Sequence, residues 1–127
     1  MTELEALVAY GLLTALTVVW QATGSLGQLG IAYLMGARDE QRPVKGVAAR
    51  LNRALNNAIT AMALFAPAVL LILVTDQSTP ASTLAATVFF IARLIYLPAY
   101  AFAITGVRTL AWAAGFAATV SLYLLAL

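Results

Sequence analysis

Four long apolar runs constrain the fold of this chain more than any other feature. They cover about residues 6–35, 47–74, 81–104 and 107–127. Each is close to the roughly 20 apolar residues that an α-helix needs to cross a bilayer. Only 9% of the residues are charged, against about 25% in an ordinary soluble domain. The sequence therefore predicts an all-α integral membrane protein.

The connections between these runs are short and polar. Thr75–Pro80 is a clear turn, because Pro80 is placed to begin the next helix. Thr105 and Gly106 separate the third run from the fourth. Short connections make consecutive helices antiparallel, so we expect one up-down-up-down four-helix bundle over residues 1–127.

The basic residues predict the orientation in the membrane. Five of them lie in or beside the first connection: Arg38, Arg42, Lys45, Arg50 and Arg53. Arg108 borders the third connection. Because basic loops stay in the cytoplasm, the first and third loops are expected there, with both termini outside. The acidic flank of the first run, with no small-residue cleavage site, favours a membrane helix over a signal peptide.

The composition excludes several classes of chemistry. There is no cysteine and no histidine, so disulfides, thiolate catalysis by the protein, histidine acid–base chemistry and the usual zinc or haem sites are excluded. The five acids are isolated along the chain and offer no catalytic pair. No metal site is expected. The few dispersed basic residues do not form a nucleic-acid footprint.

Two polar stripes lie within the apolar helices. The first is Arg50, Arg53, Asn57 and Thr60, and the second is Arg93, Tyr96 and Tyr100. At about 100° per residue, each set falls within an arc of roughly 60–80° on its helix. An arginine that faces lipid costs at least a few kcal/mol, so these side chains must face protein, water or a ligand.

The two stripes reach similar depths. With a rise of 1.5 Å per residue, Asn57 lies about 16 Å along the second helix from Gly46, and Arg93 lies about 18 Å back along the third from Thr105. The sequence predicts one polar cleft that opens to the cytoplasm, with Arg108 at its mouth. Guanidiniums and phenols without a neighbouring acid favour an anionic ligand such as a carboxylate or phosphate.

The remaining basic and aromatic residues have simpler interpretations. Arg38, Arg42 and Lys45 are expected to contact lipid headgroups, while Arg50 is compatible with either a headgroup or the cleft. For Arg93 the alternative to a ligand or an intersubunit contact is pairing with helix carbonyls. A last group is interpreted as packing or membrane-interface residues: Trp20, Trp112, Tyr10, Tyr33 and Tyr123.

These motifs resemble those of the MAPEG family, the membrane-associated proteins in eicosanoid and glutathione metabolism, and in particular its small bacterial-type members. The resemblance rests on Arg50-Leu-Asn-Arg53-Ala-Leu-Asn-Asn57 with Phe65, on Ala92-Arg93-Leu-Ile-Tyr96-Leu-Pro-Ala-Tyr100, and on Arg108 eight residues later. It spans about residues 47–118.

The resemblance implies a homotrimer in a bacterial inner membrane, with a glutathione site between protomers on the cytoplasmic side. Glutathione would be a co-substrate. By this resemblance, the positions that look like glutathione-binding residues are Arg53, Asn57, Arg93, Tyr96 and Tyr100, with Arg50 and Thr60 in the same anion-binding stripe. Arg108 resembles the arginine that stabilises the glutathione thiolate.

Two departures from the family pattern leave the function open. Thr60 stands where the family usually has a glutamate, and Ala49 stands where it commonly has an acid, so recognition of the glutathione ammonium is weakened. The protein is either a glutathione-dependent transferase or peroxidase for hydrophobic electrophiles, or a non-catalytic lipid-binding or accessory subunit of a larger membrane complex. A small multidrug transporter is disfavoured, because the four spans contain no carboxylate for proton coupling.

Overall fold

The computed structural model describes all residues from Met1 to Leu127. Its regular secondary structure consists of α-helices alone. They are α1 (Glu3–Leu29), α2 (Ile31–Met35), α3 (Gly46–Val74), α4 (Pro80–Ala101) and α5 (Thr105–Leu125). Helices α1, α3, α4 and α5 are long and apolar enough to span a membrane. The predicted all-α membrane fold with four spanning helices is therefore confirmed.

Two helices begin with capping boxes, which explains where they start. The Thr2 hydroxyl accepts a hydrogen bond from the Glu5 N–H at 3.1 Å, and the Glu5 carboxylate accepts one from the Thr2 N–H at 2.8 Å. Thr79 and Ser82 make the same reciprocal pair at the start of α4, with Pro80 in the first turn. These contacts satisfy backbone donors that a helix start otherwise leaves free.

Gly30 divides the first predicted span, which was expected to be continuous over 6–35. Its φ of +81° is a backbone conformation that favours glycine, so α1 ends before it and the short α2 follows. Tyr33 then fixes the connection to α3, because its hydroxyl donates to the Glu40 carbonyl at 2.6 Å and accepts from the Arg42 N–H at 3.0 Å. The membrane-spanning part of the first run is therefore α1 alone.

The other helix ends lie close to the predicted bounds. The differences are at most three residues: α1 begins at Glu3 rather than at residue 6, and α4 ends at Ala101 rather than at residue 104. Ala103 takes a left-handed backbone conformation, with φ at +59°, so the helix cannot continue through it.

Helices α3 and α4 form the central pair of the bundle, with α1 packed against both on one side and α5 packed against both on the other. Contacts between their ends show the directions. Gln28, near the end of α1, exchanges two hydrogen bonds with the backbone of Lys45, just before α3. Arg50, early in α3, bonds to Ala101 at the end of α4. The spanning helices therefore run up, down, up and down.

Three aromatic rings form the centre of the core. The rings of Phe65 and Phe89 are stacked with centroids 3.7 Å apart, and the Tyr10 ring meets Phe89 edge-on at 4.8 Å. The Tyr10 hydroxyl donates to the Ala58 carbonyl at 2.9 Å, which satisfies its polar end. Only 27 of the 127 residues are buried, and many large apolar side chains are exposed at the surface of the bundle.

Candidate functional site

Arg93 lies where the two predicted stripes meet. Its side chain is only 4% exposed, and one terminal nitrogen donates to Asn57 Oδ1 at 2.7 Å. Its guanidinium carbon stands 4.2 Å from the centroid of the Tyr96 ring. Gly115 of α5 packs against it, and a Cβ at that position would lie 3.4 Å from Arg93 Cδ. Helices α3, α4 and α5 therefore position this guanidinium together.

The hydrogen bonding of Arg93 is incomplete. Its Nε atom is buried and has no hydrogen-bond partner. The only side-chain ion pair in the structure is Arg42 with Glu40, at 3.0 Å in the first loop, so no acid neutralises Arg93. A buried donor without a partner costs about 1–3 kcal/mol, and more when it is charged. The charge of the Arg93 guanidinium is therefore not neutralised by any side chain of the protomer, which suits a ligand that brings a negative charge.

A second cation stands nearer the end of the bundle where α4 connects to α5. The Arg108 guanidinium lies 4.8 Å from the Tyr100 ring centroid, and the Tyr96 and Tyr100 rings are 5.5 Å apart. Together with Thr109 and Trp112, these three residues line a cavity of about 260 Å³, which we call the outer chamber. The face of the Tyr100 ring attracts the Arg108 guanidinium, so this cation is stabilised without an acidic partner.

A further cavity of about 190 Å³, the inner chamber, lies between α3, α4 and α5. Arg93 and Asn57 form its polar end. Much of the remaining wall is apolar and includes Leu64, Phe89 and Phe116. The site thus combines an outer chamber with a cation and two phenols and an inner chamber that is mainly apolar.

Three predicted site residues take other positions. Arg50 Nε donates to the Ala101 carbonyl at 2.7 Å, so this side chain caps the C-terminal end of α4. Arg53 is exposed and lies outside both chambers. Thr60 lines the inner chamber, but its hydroxyl donates to the Asn56 carbonyl at 3.0 Å. The structure therefore brings together Asn57, Arg93, Tyr96, Tyr100 and Arg108, with Thr60 at the edge.

Sequence reasoning missed Trp112 as a site residue, and it predicted Gly115 as a packing residue but not its contact with Arg93. Trp112 was interpreted as a packing or interface residue, yet it lines both chambers. It follows Arg108 by four residues, which places both on one face of α5, and this spacing was the available signal. Gly115 carries no such signal, because its role depends on the path of the Arg93 side chain across the helix pair.

The fold and these chambers define a four-span integral membrane protein with a cationic, aromatic-lined cleft. The sequence model of the MAPEG family matches residues 4–127, essentially the whole chain, and the chain belongs to that family. The predicted membership in the MAPEG family is therefore confirmed. No curated protein and no solved structure matches the chain.

Proposed function

We propose that this protein is a glutathione-dependent transferase or peroxidase that acts on hydrophobic electrophiles. The observation that carries the proposal is the outer chamber, where Arg108 stands over Tyr100 with Tyr96 beside it. Members of the MAPEG family generally use glutathione. The apolar wall of the adjoining inner chamber suits a hydrophobic second substrate.

The chemistry follows from the charges at the site. Arg108 would stabilise a thiolate bound in the outer chamber and so raise the nucleophilic fraction of the thiol. In a transfer reaction the thiolate sulfur bonds to the electrophilic carbon, and the leaving group departs with the electron pair of the broken bond. In a peroxidase reaction two glutathione molecules reduce a hydroperoxide to an alcohol and water, and they leave as one disulfide.

The side chains present fit part of glutathione. The guanidinium of Arg93 lines the inner chamber and has no acid partner, so it suits a carboxylate of the ligand. The ammonium group has no matching acid in either chamber, since Thr60 stands at the position where the family usually has a glutamate. Binding is therefore expected to depend mainly on the anionic groups of the ligand.

Arg53 supports a homotrimer with the site between protomers. It lies about 10 Å along α3 from Gly46, its side chain is exposed, and an arginine that faces lipid costs at least a few kcal/mol. A second copy of the chain packed on this face would cover the guanidinium and bring it to the ligand. MAPEG proteins are generally trimeric.

We place the protein in a bacterial inner membrane with its first and third loops in the cytoplasm.

Turnover by the purified full chain tests the proposal. We expect glutathione-dependent conversion of a hydrophobic aryl halide by the wild type. Arg108→Ala should lower the rate about tenfold or more, because the thiolate loses its cation. Arg42→Ala is the matched control, since Arg42 is paired with Glu40 outside both chambers. Absence of glutathione-dependent turnover, or equal rates for Arg108→Ala and the wild type, would contradict the proposal.

The second candidate is a non-catalytic lipid-binding or accessory subunit of a larger membrane complex. Thr60 favours this second candidate, because it replaces the glutamate that would bind the ammonium group of glutathione. Without that glutamate the site binds anions but does not select glutathione among them. Native mass spectrometry separates the candidates. Retained phospholipid or a partner protein, together with no glutathione binding, would favour the subunit, whereas a trimer that binds glutathione would favour the enzyme.

A further inference from the structure

A third cavity lies under the first loop, at the end of the bundle where α1 connects to α3 through α2. Its volume is about 330 Å³, which is within the roughly 300–1,000 Å³ of small-molecule sites. Residues of α1, α2, the loop and the first two turns of α3 line it. We call it the loop cavity. It shares no residue with the outer or the inner chamber, so what it binds does not depend on the proposed glutathione chemistry.

Hydrogen bonds hold the loop over this cavity. The Tyr33 hydroxyl makes two of them, with the Glu40 carbonyl at 2.6 Å and with the Arg42 N–H at 3.0 Å. At the end of the loop, the Gln28 carboxamide donates to the Lys45 carbonyl and accepts from the Lys45 N–H, both at 2.9 Å. The cavity is therefore preformed, and a ligand that enters it loses little free energy to ordering of the protein.

The charges at the loop cavity are only partly paired. Two guanidiniums line it and no carboxylate does. Arg42 is paired with Glu40 at 3.0 Å, whereas Arg38 has no acidic partner. Nε and one terminal nitrogen of Arg38 donate to the Leu34 carbonyl, at 3.1 and 2.7 Å, and its other terminal nitrogen makes no hydrogen bond within the protein. Arg38 therefore offers a free donor and an unpaired positive charge, which suit a phosphate.

Neutral polar groups of α1 and α3 form another part of the cavity wall. Gln21 Nε2 donates to Asn52 Oδ1 at 2.6 Å and to Ser25 Oγ at 3.1 Å. This is the only side-chain hydrogen bond of Asn52, so its NH2 group remains a donor for a ligand. Because no acid lines the cavity, an ammonium group would find no partner there, whereas a hydroxyl or an ester oxygen would.

The loop cavity lies at the depth of the lipid headgroups. Helix α1 has 27 residues and is about 40 Å long, which exceeds the roughly 30 Å hydrocarbon core of a bilayer. The loop is rich in charged residues and therefore lies outside that core, next to the end of α1. Leu29, Leu34 and Val44 also line the cavity. A polar anion that carries apolar chains fits this mixture of walls, and a membrane lipid is such an anion.

We propose that the loop cavity binds the headgroup of an anionic phospholipid, with the phosphate at Arg38 and hydroxyl or ester oxygens at Asn52. The headgroup bears hydroxyls rather than an ammonium group, as phosphoglycerol does. The sequence predicts a headgroup contact for Lys45 as well, but Lys45 does not line the cavity. The bound lipid joins α1, the loop and α3, and so stabilises the folded chain.

Native mass spectrometry of the purified full chain tests the proposal. The protein in detergent micelles is titrated with phosphatidylglycerol and, separately, with phosphatidylcholine. We expect saturable retention of phosphatidylglycerol and weak retention of phosphatidylcholine. Arg38→Ala should weaken phosphatidylglycerol binding about tenfold or more, because charge-assisted hydrogen bonds to the phosphate are lost. Lys45→Ala, which removes the same charge from the same loop outside the cavity, should bind like the wild type.

Two outcomes of this titration would overturn the proposal. One is equal binding by Arg38→Ala and Lys45→Ala, and the other is equal retention of the two lipids by the wild type. Inorganic phosphate shares the charge of the headgroup but lacks the glycerol and the acyl chains. Excess phosphate should therefore not displace phosphatidylglycerol, and displacement would assign the cavity to a soluble anion and overturn the lipid assignment.

A cavity-filling variant keeps the test decisive if Arg38→Ala folds poorly. Ala22→Phe fills the loop cavity without a change of charge. Ala15→Phe is the matched control, at an exposed position about two turns earlier on α1 and outside the cavity. Phosphatidylglycerol should raise the Tm of the wild type and of Ala15→Phe but not that of Ala22→Phe. An equal rise in the two variants would overturn the site.

Discussion

The bundle contains two polar clusters among apolar helices, one at the start of α1 and one deep between α3, α4 and α5, and they differ in whether their hydrogen bonds are complete. In the Glu3 cluster, the Glu3 side chain is 2% exposed, and its Oε1 accepts from the hydroxyls of Ser78, at 2.8 Å, and Ser82. In the Arg93 cluster, the guanidinium is nearly as buried, but its Nε has no partner.

The difference indicates different roles. The Glu3 cluster is an anion surrounded by hydroxyl donors from the turn between α3 and α4 and from the start of α4, so it ties α1 to those elements and needs nothing further. The Arg93 cluster is a cation with one amide acceptor, Asn57, and no acid. A site that is incomplete by itself is suited to a ligand, whereas a complete one stabilises the fold.

The substitution Arg93→Met has the largest expected effect and tests whether the Arg93 cluster binds a ligand or stabilises the fold. The variant removes a charge-assisted hydrogen bond of about 1.5–3 kcal/mol, so glutathione binding should weaken about 10- to 150-fold. The free energy of unfolding should change little, because an apolar side chain of similar size removes an unsatisfied buried charge. Titration calorimetry and thermal unfolding measure the two effects. A large loss of stability with unchanged binding would show that Arg93 is structural.

The converse change is Glu3→Ala. It leaves the Ser78 and Ser82 hydroxyls without their shared acceptor, and the free energy of unfolding should fall by about 1–2 kcal/mol. Glutathione binding should be unchanged. Glu5→Ala is the control at the same helix end, where an exposed capping contact is lost and a smaller decrease is expected. Weakened glutathione binding in Glu3→Ala would contradict the separation of the two clusters.

Asn57→Ala should have an intermediate effect. It removes the one acceptor that Arg93 has, so the unfolding free energy should fall by about 1 kcal/mol and glutathione affinity should also fall. Asn56→Ala, at the neighbouring exposed position, should alter neither quantity. Equal behaviour of the two variants in both measurements would show that the Asn57–Arg93 contact contributes nothing.

The smallest effect is expected for Arg50→Ala. The guanidinium of Arg50 caps the last turn of α4, and a cation at a helix C-terminus contributes about 0.3–1 kcal/mol. Chemical denaturation should show that decrease with no change in glutathione affinity. A clear loss of glutathione affinity in Arg50→Ala would show that Arg50 contacts the ligand and contradict this prediction.

The sequence was sufficient for the fold and for part of the site. Apolar run length predicts the four spans, and helical spacing placed Asn57 and Arg93 at one depth, where the structure joins them. Spacing sets only the direction in which a side chain leaves its helix. The side chain of Arg50 is long enough to reach the end of α4, and its spacing in the stripe leaves both a headgroup contact and a place in the cleft open.

Other features depend on contacts between distant segments. Glu3 was visible only as an acidic flank, because its partners lie more than 70 residues later in the chain. Gly30 is one of several glycines in the first run, and which of them ends the helix depends on packing. Trp112 looked like an interface residue, since an aromatic in an apolar helix has the same appearance whether it faces lipid or a cavity.

The central claim is that the incomplete cationic cluster and its neighbour Arg108 bind glutathione as a thiolate. Ultraviolet difference absorbance of the thiolate measures this directly when glutathione is added to the purified protein at neutral pH. The wild type should show a saturable thiolate band, which Arg108→Ala should lose and Arg42→Ala should keep. No thiolate band in the wild type, or an undiminished band in Arg108→Ala, would contradict the account.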